Sequence, residues 1–311
     1  MQIKLTRQKK ILLLIIASMF VNFRETAPLA ASADMYLDDS GEVIPKLSTQ
    51  GYLAVGVPGT VAGLDRALSE YGTMNRQQET VAAIFLDGGE AFQVGERLVQ
   101  EELAETLSAI ARSGASVFYQ GRIAQAIVQA SQENGGILTL EDFTRYRVRQ
   151  DTPLRCFYRG YEVVTAPPPG GGVTVCQMLN VLAGYPLREW GWGSVESLHS
   201  FLSAALFAYR DRNQVLGDPD FVEIPVKRLL SQEYAAQIRE QIGERALNPQ
   251  ALQMQDMPQG THTTHYSIVD QFGNAVAVTY TINSLFGAKV MAKDTGFFLN
   301  NQMNDFTVKL G

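Results

Sequence analysis

Residues 261–283 read THTTHYSIVDQFGNAVAVTYTIN. Two β-rich runs flank Gln271-Phe272-Gly273, and Gly273 suits the left-handed position of a three-residue hairpin loop. A hairpin centred on Phe272 sets residues equidistant from it opposite one another. Thr263 then faces Thr281, and Asn283 follows on the same side because strand side chains alternate with period two. A one-residue slip would carry Thr281 away from Thr263, so the pairing is a geometric expectation. Three polar groups would converge at the open end of the hairpin. A threonine hydroxyl is a poor nucleophile unless a base removes its proton. A cut between His262 and Thr263 would place a new α-amine, of unperturbed pKa about 7.7–8.0, on the same residue as the hydroxyl, where it can act as that base. The polar stretch Asn248–Gly260, with Pro249 and Pro258, reads as an exposed linker that supplies slack for such a cut. Threonine is also an ordinary strand residue, so the local pattern alone leaves a purely structural reading open.

Other chemistries lack their signatures. No GxSxG elbow or P-loop occurs. The glycines of Gly51–Gly63 do not fit GxGxxG and read as a tight turn. His262 and His265 form H-x-x-H, but in a strand they face opposite sides, and the chain holds only 3 histidines. No metal site or cofactor is therefore expected. A formal net charge of −6, without basic residues interleaved with aromatics, argues against nucleic acid as a partner. Cys156 and Cys176 lack a CxxC spacing and are compatible with free buried thiols. Two cysteines exclude a disulfide scaffold and leave the redox compartment open.

The elements that must position Thr263 follow from periodicity. A strand running into the Gly51–Gly63 turn leads to a helix through Leu64, Leu68 and Tyr71, stopped by Gly72. Val99, Leu103, Leu107 and Ile110 mark a helix ending at Gly114. Val117, Ile123, Ile127 and Val128 mark another, ending at Asn134. Thr139 and Asp142 have the spacing of a capping box. Tyr158–Thr165 reads as a strand. The proline–glycine run 167–172 leads into a helix through Val175, Met178, Leu179 and Leu182. Ser194 caps a long helix with Leu198, Leu202, Leu206 and Tyr209 on one face, and 228–242 is helical. After the linker the pattern is strands to the end. Helices followed by a strand cluster argue for an α+β or layered α/β architecture.

Longer motifs carry a family likeness. TTHYSIVDQFGNAVAVTYTINSLFG and GFFLNNQMNDF resemble the start of the small subunit of the γ-glutamyltranspeptidases, members of the N-terminal-nucleophile hydrolase superfamily. FRETAP, ASADMYLD, LAVGVPGTVAGL, GGILTLEDF, YRGYEV, APPPGGGV and LGDPDFVEIPV resemble their large subunit, in the same order. The resemblance implies part of an αββα sandwich and autocleavage between His262 and Thr263. It also implies a large-subunit-like region 22–262 and the start of a small-subunit-like region, 263–311. Thr263 would take the γ-glutamyl group of glutathione or a related compound as an ester and pass it to water or to an amino-acid or peptide acceptor. Thr281 would orient Thr263. Asn283, Gln302 and Asp305 would hold the substrate's α-amino end, and Arg24 its α-carboxylate. A carboxylate suits an ammonium, and a guanidinium suits a carboxylate. Arg24 and Asp305 speak for a free amino-acid end on the substrate and against the side chain of a β-lactam.

Three departures shape the expectation. The family continues beyond NNQMNDF into a serine pair and a Gly-Gly oxyanion segment, whereas this chain stops at Gly311. The alternative reading is thus an inactive relative that binds γ-glutamyl ligands or a partner chain without catalysis. Residues 1–21 do not resemble the family, and 74–94 is abbreviated relative to it. Lys4, Arg7, Lys9 and Lys10 before the apolar run 11–21 have the form of a signal peptide, which would send the chain to the periplasm or outside the cell. A cut after Ala33 would remove Arg24, so the two readings compete, and retention of Arg24 is favoured.

Overall fold

The computed structural model describes residues 19–71, 99–248 and 263–306. It divides into two compact units. Among the described residues, one gathers 150–248 and the other 21–71, 99–149 and 263–306. Residues 263–306 pack with 21–149.

The 21–149 and 263–306 unit is built on a helical layer. Helix Arg122–Glu133 buries Ile123, Ala124, Ile127, Val128 and Ser131, the one-sided spacing of an amphipathic helix. Phe118, Tyr119, Leu138, Phe143, Tyr146, Val55, Val57, Ala288, Ala292 and Leu299 complete its core. The helix expected to run unbroken through Val117 is two helices, Ser116–Tyr119 and Arg122–Glu133. They part at Gly121, where a side chain would meet the Val117 carbonyl at 2.6 Å. Helix Glu101–Ser113 carries Glu101 and Glu102 in its first turn and Arg112 in its last, matching the helix dipole. The capping box is present. Thr139 Oγ1 accepts from Asp142 N, and Asp142 Oδ2 accepts from Thr139 N. The other Asp142 oxygen accepts from Leu29 N at 2.6 Å, so this cap also ties down the segment that carries Arg24.

Two sequence expectations change here. The expected strand before the Gly59 turn is a 3-10 turn, Tyr52–Ala54, followed by a single bridge between Val57 and Thr26. After Tyr280 the chain does not continue as strands. It makes turns and one bridge, Met291 to Phe298, because Asn283, Phe286, Lys289 and Asp294 all take positive φ, which breaks extension.

The 150–248 unit pairs Leu154–Tyr158 with Tyr161–Thr165 as a hairpin, where one strand had been expected. Arg159 and Gly160 both take positive φ and turn the chain. Helices Gly172–Leu182, Val195–Val215 and Gln232–Gln241 enclose Val173, Val181, Ala204, Phe207, Leu229, Ala235 and Ile238. The Leu198, Leu202 and Tyr209 stripe of the long helix is exposed. The buried side is Ser200, Ser203, Ala204, Phe207, Ala208 and Asp211. The helix expected over 228–242 is interrupted, because Ser231 accepts from Tyr234 N and caps a new start. Cys156 and Cys176 form a disulfide joining the hairpin to helix Gly172–Leu182, which corrects the free-thiol reading. Spacing could not show this, since the pair meets only when the hairpin folds onto the helix.

Among the described residues no helix is long and apolar enough to cross a membrane, and no cluster of His, Cys, Asp and Glu could hold a metal ion.

Candidate functional site

The hairpin has the expected register. Thr264 pairs with Tyr280, His265 with Thr279 and Val269 with Ala275. Thr263 and Thr281 are the next residues on either strand, beyond the last pair. The loop has a local cause. Asp270 Oδ1 accepts from the backbone N–H groups of Phe272 and Asn274, Asp270 Oδ2 accepts from Asn274 Nδ2, and Gly273 adopts φ 85°. The hydrogen bond from Asn274 is the main reason the Asp270 carboxyl is held below its usual range. Strand alternation puts Thr263 on the same face as His265, whose Nδ1 lies 2.7 Å from Thr279 Oγ1.

The open end of the hairpin runs into a fixed turn. Thr281 Oγ1 accepts from Asn283 N at 2.9 Å. Asn283 sits at φ 73°, a conformation that Asn tolerates better than most residues, and its Nδ2 donates to the Asn301 carbonyl at 3.1 Å. Asn301, wholly buried, locks this turn from beneath. Its Nδ2 donates to Thr49 O and Ser284 Oγ, and its Oδ1 accepts from Ser284 N. Asn300, beside it, exchanges hydrogen bonds with both backbone groups of Gly56 and accepts from Gln302 N.

The 3-10 turn Gln302–Asp305 then meets the Arg24 segment. Arg24 Nη2 lies 2.8 Å from Asp305 Oδ2, and Arg24 Nε lies 3.3 Å from Glu25 Oε1. Gln302 Nε2 donates to Glu25 Oε2 at 2.7 Å. Tyr146 OH donates to the Arg24 carbonyl, which places Arg24 over the helical layer. Burial raises the Glu25 carboxyl above its ordinary value, against the lowering influence of Arg24. Arg24, Gln302 and Asp305, far apart in sequence, thus form one polar cluster, and Asn283 is joined to the same 300–305 segment through Asn301. His262 lies outside the described residues. Glu25, Asn300 and Asn301 were not singled out as site residues. They stand within FRETAP and FLNNQMNDF, but nothing in their types alone distinguishes a buried anchor from a loop polar group.

The gamma-glutamyltranspeptidase sequence pattern matches residues 16–78 and 73–310. The chain belongs to the γ-glutamyltranspeptidase family. It is 46% identical over 334 residues to a glutathione hydrolase proenzyme of Pseudomonas sp. strain A14, an alignment covering 94% of this chain and 57% of that protein. The chain therefore spans a little over half the length of such relatives. The crystal structure of Helicobacter pylori γ-glutamyltranspeptidase superposes with a TM-score of 0.71 at 35% identity, covering 75% of this chain and 77% of that one. A cephalosporin acylase from Bacillus halodurans, at 24% identity, shares the fold with a TM-score of 0.77, over 93% of this chain and 59% of its own. The fold is that of the N-terminal-nucleophile hydrolases.

Proposed function

We propose that the protein is a γ-glutamyl hydrolase and transferase that cuts itself between His262 and Thr263 and acts on glutathione and related γ-glutamyl compounds. The observation that carries this reading is the Arg24–Asp305 ion pair with Gln302 beside it. It sets a cation and an anion side by side, which is what a zwitterionic α-amino-acid end requires. Arg24 would take the α-carboxylate. Asp305, Gln302 and Asn283 would take the α-ammonium.

With that end anchored, the γ-carbonyl would reach Thr263. Its hydroxyl attacks the carbonyl carbon while its α-amine accepts the proton. The C–N bond then breaks, the leaving amine takes the proton, and a γ-glutamyl ester remains on Thr263. Water or the amine of an acceptor amino acid or peptide attacks the ester and restores the hydroxyl. Thr281 would hold the Thr263 hydroxyl in line. The two fragments of the cut chain would stay as partners through the contacts of 300–305 with Arg24, Glu25 and Gly56. The basic and apolar N-terminus, together with the Cys156–Cys176 disulfide, supports an oxidising compartment such as the periplasm or the exterior.

The test is the intact mass of the purified chain after incubation at neutral pH, beside a Thr263→Ala control. The expected products are residues 1–262 and 263–311 from the wild type alone. A folded wild-type chain that stays whole would favour the second reading, a relative that binds γ-glutamyl ligands without catalysis.

A further inference from the structure

Glu25 is the one charged member of the cluster that is buried, at 8% exposure, whereas Arg24 and Asp305 are exposed. Its two oxygens do different things. Oε2 accepts from Gln302 Nε2, while Oε1 is buried without a hydrogen-bond partner, close enough to Arg24 Nε for charge pairing only. A carboxylate can only accept, so it decides which end of the Gln302 amide faces it. The NH2 group must turn inward, and the amide oxygen is then directed away from Glu25. The same carboxylate draws on the Nε side of Arg24 and leaves the terminal nitrogens, one of them on Asp305, for another anion.

We infer that Glu25 is a positioning residue that orients the Gln302 amide so that its oxygen, not its NH2, meets a ligand ammonium, and that steadies Arg24 for the ligand carboxylate. The inference rests on the proposed reading of Arg24, Gln302 and Asp305 as the α-amino-acid site. Glu25 itself touches no ligand in this arrangement. A Gln302 amide turned the other way would present two N–H donors to an ammonium, a repulsive contact. The groups facing Glu25 are Arg24 from its own segment, Asp305 and Gln302 from the 3-10 turn, and Tyr146 from the end of the helical layer.

The test is calorimetric titration of the whole chain with two probes, L-glutamate and glutarate, which differ in the α-ammonium alone. Wild type should prefer L-glutamate. Glu25→Gln keeps the shape but lets either end of Gln302 turn outward, so the preference for L-glutamate over glutarate should fall about tenfold, the scale of one hydrogen bond to a charged group. The exchange Glu25→Gln with Gln302→Glu should restore the preference, because the new carboxylate at 302 accepts from the new amide at 25 and still offers an oxygen outward. A merely structural role for Glu25 would weaken both probes alike, with no change of ratio, and that result overturns the inference. So does a double exchange that fails to recover the ratio. A wild-type chain that binds neither probe overturns the proposed function, and this inference with it. A wild type that discriminates while Glu25→Gln discriminates equally overturns this inference alone.

Discussion

Reducing the Cys156–Cys176 disulfide should destabilise the 150–248 unit by about 3 kcal/mol. The two cysteines stand 20 residues apart, and the loop-entropy relation gives about 3 kcal/mol for a loop of that size. Reduction is a cleaner perturbation than substitution. Cys176 is wholly buried and Cys156 nearly so, and alanine at either site would add a cavity term to the loss of the cross-link. The probe is built in, since both tryptophans, Trp190 and Trp192, lie in this unit. Urea unfolding followed by tryptophan fluorescence, with and without a phosphine reductant, should show the midpoint falling by about 1–3 M, given ordinary denaturant slopes. Thiol titration of the denatured, unreduced chain should find none. Two reactive thiols there would refute the disulfide. A disulfide that is present but whose reduction leaves the midpoint unmoved would refute the loop-entropy argument.

Two further predictions concern the site. Asn301→Ala removes three side-chain hydrogen bonds, to Thr49 O, Ser284 Oγ and Ser284 N, and should destabilise the turn at 281–284 by about 3 kcal/mol. Amide hydrogen exchange at Ser284 and Ala288 should accelerate strongly. Asn283→Gly, which loses one such bond while keeping the positive φ accessible, should act about a third as strongly, and equal effects would contradict the assignment of Asn301 as the anchor. Glu25 gives a pH test. Burial chiefly raises its folded-state carboxyl above the ordinary glutamate value of about 4.5, so its stabilising contribution is full below about pH 4.5 and lost as pH rises. Glu25→Gln, uncharged throughout, should gain stability relative to wild type between about pH 4 and 7. If wild type gains instead, pairing with Arg24 outweighs burial.

The parts of the fold legible in the sequence are those with a local cause. The Thr139–Asp142 cap, the Ser194 cap and the hairpin register each depend on residues within a few positions of one another, and each is present. The register was fixed by Gly273 and by the alternation of its flanks. The Asp270 carboxylate reinforces it through bonds that a linear reading does not reveal. Helix breaks at Gly121 and Ser231 were not legible, because the apolar period continues across both. At one the cause is a close backbone approach, and at the other it is a cap that competes with continuation.

The site divides along the same line. Thr263 and Thr281 follow directly on the last hairpin pair, as local geometry predicts, but Asn283 does not continue the strand face, because its φ of 73° turns the chain there. Arg24 reaches Asp305 across 281 positions, and only the family likeness suggested that the two belong together. Glu25 is the instructive omission. Beside Arg24 in sequence, a glutamate reads as a solvated neighbour. Its burial comes from Gln302 above it and from the layer that holds the Arg24 carbonyl through Tyr146. A buried carboxylate is unfavourable for folding unless well paired, and here one oxygen lacks a hydrogen bond. Under the proposed function, this cost beside the polar cluster preorganises the ligand site. That is why Glu25→Gln is expected to make the chain more stable and its ligand discrimination worse.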